Sequence, residues 1–218
     1  MKIFIDFDDV IFNAKRFKKD LIGVFSKNGI TRQEFDNSYY TFQKKAQMEG
    51  RYYDPKNQIK VLKKRFKIDN KKLEKDLDVF LSDMKKYVFP DVYGFLSNFP
   101  KNDLFLITYG HVRFQKKKIR NSGINKFFRR TLVSKDNKIN IVLESCRKYS
   151  FSPEREDILL IDDRPEQIEK TEAIRKKIRT FRMCRPEGRY SDLLCIDKDW
   201  EVKDLKEVQK IILQEKLK

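Results

Sequence analysis

The chain has 218 residues, 50 Lys+Arg against 33 Asp+Glu, and a formal charge of +17. Its 39 % hydrophobic and 13 % aromatic content excludes a disordered chain, and a chain of this size buries about 70 % of its unfolded surface. Three scattered cysteines, Cys146, Cys184 and Cys195, exclude a disulfide scaffold and a zinc cluster, and with His111 the single histidine, most Ser-His-Asp and two-histidine metal chemistries are excluded or very cramped.

Residues 2–6 (KIFID) are short, β-branched and aromatic, the pattern of a buried parallel strand. Residues 14–29 carry Phe17, Leu21, Ile22, Val24 and Phe25 at helical spacing and stop at Asn28-Gly29. Thr31 and Glu34 fit a capping box for the next helix. Pro55 breaks the pattern, and helical periodicity returns over 57–66 and 70–87. After Pro90 the pattern changes. Leu104–Ile107 (LFLI) reads as a second buried strand ending at Thr108, followed by a basic helix over 112–121 closed by Ser122-Gly123. Residues 131–134 suggest a third strand, 138–149 a helix, and 158–161 (ILLI) a fourth strand ending in Asp162-Asp163. A helix over 166–178, strand-like 179–183, a further short strand at 193–196 and a helix over 203–216 complete the chain. Strands alternating with helices imply an α/β fold, a Rossmann-like parallel sheet with helices on both faces. The 14–87 block interrupts that alternation and reads as an inserted helical module.

The positive balance attracts anions such as phosphate or nucleic acid. Lysine is spread over nearly every segment, with denser stretches at Gln115–Arg120, Lys126–Arg130 and Arg175–Arg182. Asp6 interrupts the first apolar run too early for a targeting signal, so a cytoplasmic setting is expected. No apolar run approaches the roughly 18 residues needed to span a membrane, and no membrane partner is expected.

In open α/β sheets ligands sit at the carboxyl ends of the strands. Three of the four clearest strands end in polar chemistry: Asp6-Phe-Asp8-Asp9, Thr108-Tyr109-Gly110 and Asp162-Asp163-Arg164. Lys135 and Lys138 lie between the second and the last. At least four carboxylates meeting at one edge repel each other unless a cation is bound or their pKa values shift. Oxygen ligands without His or Cys favour a hard ion, magnesium first. A hydroxyl at Thr108 and an ammonium at Lys138 complete a cradle for a phosphoryl group. The receiver domain of response regulators uses similar residue types, but there the acidic pair comes first; here Asp162-Asp163 comes last.

In these residues the chain resembles the haloacid dehalogenase superfamily, in its phosphatase branch. The first motif matches Ile3-Phe-Ile-Asp6-Phe-Asp8-Asp-Val10-Ile, the second Leu104-Phe-Leu-Ile-Thr108-Tyr-Gly110, the third Lys138 with Lys135 as substitute, and the fourth Ile158-Leu-Leu-Ile-Asp162-Asp163. The tail Arg185-Pro-Glu-Gly-Arg-Tyr190 and the stretch 197–207 also look like the end of such enzymes. The resemblance covers nearly the whole chain outside the insert. It implies a Rossmann-like core of residues 1–13 and 88–218 and a helical cap of residues 14–87. It also implies Mg²⁺-dependent hydrolysis of a phosphate monoester, with Asp6 as nucleophile and Asp8 as acid and base. Mg²⁺ would sit on Asp6, the Asp8 carbonyl and Asp163, with Asp162 close by; Thr108, Tyr109 and Lys138 would hold the phosphate. Many relatives carry Gly where this chain has Asp9, and Asn is common where it has Tyr109. Dehalogenase relatives lack an acid/base Asp at position 8, which makes a phosphatase or phosphomutase the reading to test. A small phosphorylated substrate is the expected partner. The charge and the interleaved Lys126-Phe-Phe-Arg-Arg130 keep a nucleic-acid-end phosphatase or a nucleic-acid-binding protein as alternatives. A non-catalytic member that binds a partner protein is a further one. His111 reads as a helix-start residue near the site mouth. Oligomeric state is left open.

Overall fold

The computed structural model describes residues 1–49, 52–134, 137–152, 154–168 and 177–216. Six strands form one parallel sheet: β1 (Lys2–Asp6), β2 (Leu104–Tyr109), β3 (Arg130–Ser134), β4 (Ile158–Asp162), β5 (Arg179–Met183) and β6 (Trp200–Val202). Their order across the sheet is β3-β2-β1-β4-β5-β6, with every pairing parallel. The order reverses beside β1, so the carboxyl ends of β1, β2 and β4 open onto one crevice.

Side chains alternate between the two faces, as the strand period demands. Phe4, Phe105, Ile107, Ile158 and Leu160 line one face, where α7 (Lys138–Tyr149) packs Ile139, Val142 and Cys146. Ile3, Ile5, Leu104, Leu106, Leu159 and Ile161 line the other. Against that second face lie α5 (Val92–Ser97), α6 (Val112–Asn121) and α9 (Leu205–Lys216). A short α8 (Pro165–Ile168) follows β4.

Between β1 and β2 come α1 (Ala14–Ser26), α2 (Arg32–Glu49), α3 (Pro55–Leu62) and α4 (Asn70–Ser82). Phe17, Leu21 and Phe25 of α1 recur every fourth residue, as do Leu73, Leu77 and Leu81 of α4, and both stripes are buried in one core with the sheet face. Caps set the helix starts. Asn13 accepts from the Arg16 N–H, Asp69 from the Lys72 N–H, and Thr31 and Glu34 form the expected reciprocal box.

Several expected boundaries move. The break at Pro55 is the start of α3: Pro55 is its first residue, capped by Asp54, and that helix ends at Leu62 rather than at 66. The first helix stops at Ser26, and Gly29 then takes φ 81° in the turn. The helix expected over 70–87 ends at Ser82, because Asp83 is extended; a 3₁₀ turn follows at Lys85–Tyr87. α5 is a six-residue helix in a stretch where the sequence pattern places no element. Leu193–Ile196 is not a strand: Leu194 and Ile196 are each 79 % exposed, and the edge strand is Trp200–Val202 instead. There Trp200 stacks on Phe181, centroids 4.7 Å apart. The helix expected over 166–178 begins with α8; residues 169–176, with Arg175 of the basic stretch, lie outside the described residues. Phe128 of the Lys126–Arg130 motif is buried, and Phe127 packs against Tyr93. The aromatic part of that motif therefore belongs to the core. No described helix is long and apolar enough to cross a membrane.

Candidate active site

The sheet register sets the site. Asp6 is the last residue of β1, level with Ile107, so Thr108 lies one step beyond it on the neighbouring strand. On the other side Ile5 pairs with Ile161, which places Asp162 beside Asp6 and Asp163 one residue further. Carboxylate oxygens of Asp6, Asp162 and Asp163 all lie within 4.8 Å of one another. All three residues are buried, as is Thr108.

Lys138 opens α7 and sends its side chain into this cluster. Its Nζ is 2.6 Å from Asp6 Oδ1 and 2.6 Å from Asp162 Oδ2. Its backbone N–H donates to Gln167 Oε1 at 2.9 Å, and Asn137 caps the helix, so the first turn is fixed on both sides. Lys135 lies outside the described residues. One cation against three buried carboxylates leaves the balance negative. Burial pushes Asp6 up to about 7, with Lys138 opposing and Asp162 adding to the rise. Burial, then Asp6 and Asp162, raise Asp163 well above the usual carboxylate range. Burial works against the Lys138 ammonium, but Asp162 and Asp6 outweigh it and raise that lysine. Both Asp163 oxygens are buried and find no hydrogen-bond partner among the described residues. A buried, unsatisfied carboxylate is costly, and this one faces two more. An oxygen-ligand cation such as Mg²⁺ fits that environment.

Asp8 takes a different set of partners. Its Oδ1 accepts from Lys118 Nζ at 2.6 Å and its Oδ2 from Gln115 Nε2 at 2.9 Å. Burial raises the Asp8 pKa, but Lys118 and Arg189 outweigh it and hold the carboxyl below its usual value. Gln115 and Lys118 are buried residues of α6. Sequence reasoning assigned both to a basic stretch and missed them. The signal was there: Phe114, Gln115, Lys118 and Ile119 share one helix face, so a lysine sits in an apolar stripe.

Asp9 sits in the left-handed region at φ 62°, is fully buried, and pairs with Arg189 of the tail. Its Oδ1 also accepts the Ala14 N–H at 3.2 Å. Gly, Asn and Asp tolerate this conformation far better than branched residues. Asp9→Val and Asp9→Gly both lose the Arg189 pair and the Ala14 hydrogen bond, so the backbone shows in their difference: Asp9→Val is expected to be less stable than Asp9→Gly by about 2 kcal/mol. Urea denaturation of the two variants checks this, and equal losses would exclude the backbone as the cause.

The mouth carries Tyr109, whose hydroxyl lies 2.9 Å from that of Tyr52 in the insert. His111 is the N-cap of α6, as read from the sequence, with Nδ1 3.3 Å from Asp54 Oδ2 of the insert. Gly110 has φ 139°, and a Cβ there would meet Gln115 Nε2 at 3.1 Å, so glycine lets Gln115 approach. Arg164, one residue past the acidic pair, lies 5.6 Å from the Tyr109 ring and 5.7 Å from that of Tyr190. Arg185 is buried. It donates to the Val10 carbonyl at 2.9 Å and to Asp91 Oδ2 at 2.9 Å, tying the tail to the loop after β1.

No protein-family model and no curated protein matches the chain. Solved structures do. A haloacid dehalogenase-like hydrolase from Burkholderia xenovorans aligns at TM-score 0.68 and 18 % identity, over 94 % of this chain and 95 % of that one. The HAD-hydrolase YfnB from Bacillus subtilis, in a magnesium-bound form, aligns at TM-score 0.57 and 18 % identity, over 97 % of each chain. The L-2-haloacid dehalogenase from Xanthobacter autotrophicus, with chloropropionic acid covalently bound, aligns at TM-score 0.62 and 12 % identity, over 97 % of this chain and 98 % of that one. The chain has the haloacid dehalogenase-like fold.

Proposed function

We propose that the chain is a magnesium-dependent phosphohydrolase that cleaves a small phosphate monoester through a phosphoryl group carried on Asp6. The observation that supports this most is the meeting of Asp6, Asp162 and Asp163 around Lys138, with both Asp163 oxygens buried and unpaired among the described residues. Asp6, Asp163 and the Asp8 carbonyl would hold the ion, with Asp162 beside them, and the ion would supply positive charge to the phosphoryl oxygens. Asp6 attacks phosphorus as the ester bond breaks. Asp8 gives a proton to the departing alcohol, then takes one from the water that releases phosphate from Asp6. Thr108 binds a phosphoryl oxygen, with Tyr109 beside it, and Lys138 offsets charge on Asp6.

Residues 14–87 serve as a cap over a core of 1–13 and 88–218. The Tyr52–Tyr109 and Asp54–His111 contacts support this, since both bring the insert to the site mouth. Asp8 favours phosphoryl transfer over attack on a haloacid, because it places a second, half-buried carboxylate with its own partners near the nucleophile. For a nucleic-acid end the overall charge remains the only support, now that Phe127 and Phe128 are placed in the core.

The test uses two substrates. Phosphate is expected from 4-nitrophenyl phosphate with Mg²⁺ and none with chelator, and no chloride from 2-chloropropionate. Chloride without phosphate would overturn the reading. Mg²⁺ is also expected to raise the melting temperature, and Asp163→Asn to abolish that rise, since binding to the native state alone stabilises it.

A further inference from the structure

Lys118 is a costly residue to place where it is. Its side chain is 5 % exposed, and an ammonium removed from water costs several kcal/mol unless it is well paired. Four phenylalanines enclose its Nζ: Phe7 at 5.1 Å, Phe12 at 4.9 Å, Phe17 at 5.5 Å and Phe114 at 5.4 Å from the ring centroids. Aromatic faces attract a cation, most strongly when water is excluded. The cage draws on the loop after β1, on α1 and on α6 itself, so it holds the ammonium from several sides. What the cage leaves open is filled by Asp8 Oδ1 at 2.6 Å.

Gln115 fixes the other oxygen. Its Nε2 donates to Asp8 Oδ2 and to the Tyr109 carbonyl, each at 2.9 Å. The Asp8 carboxylate is thereby anchored one residue past Thr108, at the end of β2. A carboxylate accepts about four hydrogen bonds. Lys118 and Gln115 use one lone pair on each oxygen and leave one on each, and it is on a free one that Asp8 must take up the proton it gives to the alcohol.

We infer that Lys118, with Gln115, is a positioning residue: it locks the Asp8 carboxylate beside the phosphoryl site, aimed at the leaving-group oxygen. This rests on the phosphohydrolase reading. It assigns Lys118 a task on the bond that breaks, not merely a share in the stability of the core. General acid catalysis matters most when the leaving alcohol is a poor one, so the two roles separate by leaving group. The ratio kcat/KM reports the first irreversible step, the breaking of the ester bond, and is the quantity to compare.

The experiment compares kcat/KM for 4-nitrophenyl phosphate and for glycerol 2-phosphate, in the native chain, Lys118→Met and Lys118→Arg. Methionine fills the apolar cage without the charge. With Lys118→Met the alkyl ester is expected to lose about 10³-fold and the aryl ester about 10-fold, so their ratio shifts by about 100-fold. Lys118→Arg is expected to restore part of that ratio. Equal losses on both esters would overturn the inference and leave Lys118 a structural ion pair. Should Lys118→Met fail to fold, Gln115→Met removes the other tether and must shift the ratio in the same direction; an unchanged ratio there also overturns it. A native chain that hydrolyses neither ester sinks the phosphohydrolase reading itself, and this inference with it.

Discussion

Asp6→Asn is expected to give a folded chain that releases no phosphate, a loss of at least about 10⁴-fold in turnover. The amide has the shape of the carboxylate but is no nucleophile toward phosphorus, and it removes one negative charge from the proposed metal site. The fold should not suffer. Burial already disfavours the ionised form of Asp6, pushing it up to about 7. Lys138 keeps Asp162 at 2.6 Å when Asp6 is neutralised, so its ammonium is not stranded. Without metal, the variant should therefore melt at or above the native temperature. Circular dichroism, thermal melting and a phosphate assay on the same preparation check all three statements. Turnover near the native rate would remove Asp6 from the mechanism. Lost turnover together with a lost fold would show that Asp6 is held for structure.

The sheet was legible because its central strands are short apolar runs that end abruptly in polar residues. Ile3–Ile5 and Ile158–Ile161 are buried on both faces, and their shortness and β-branched content favour a strand over a helix. The helices over 112–121 and 138–149 were legible by periodicity with polar punctuation. The failures have physical causes. Leu193–Ile196 has the composition of a strand, yet it pairs with no described strand: Cys195 is buried while Leu193, Leu194 and Ile196 are exposed, and composition cannot report pairing. β6 is a three-residue edge strand, too short to show a period. At the site, Asp6, Asp162, Asp163, Thr108 and Lys138 converge as expected because strand ends of one parallel sheet must converge. Gln115, Lys118 and Arg189 reach the acidic loop from 107, 110 and 180 residues away in sequence. Their roles depend on which helix face turns inward and where the tail folds back, and local pattern carries only the first of these.

Lys138→Ala should be nearly as severe for turnover as Asp6→Asn and far worse for the fold. The Lys138 ammonium is fully enclosed and bridges Asp6 and Asp162. Truncating it leaves Asp6, Asp162 and Asp163 within 4.8 Å of one another with no lysine between them. Removing one partner of a buried ion pair typically costs about 3–5 kcal/mol, because the remaining charge is uncompensated. That loss is expected in urea denaturation with chelator present. Added Mg²⁺ should recover much of it, since a bound cation answers the same repulsion. Turnover should stay about 10³-fold low even then, because the ion cannot replace an ammonium fixed at the start of α7. This asymmetry separates the two tasks of the residue: rescue of stability without rescue of turnover means that Lys138 acts on the reacting group and not only on the carboxylates. Full rescue of both would reduce Lys138 to a counter-ion. Lys135→Ala is the control and is expected to be mild; a severe loss there with Lys138→Ala mild would assign the motif lysine to position 135.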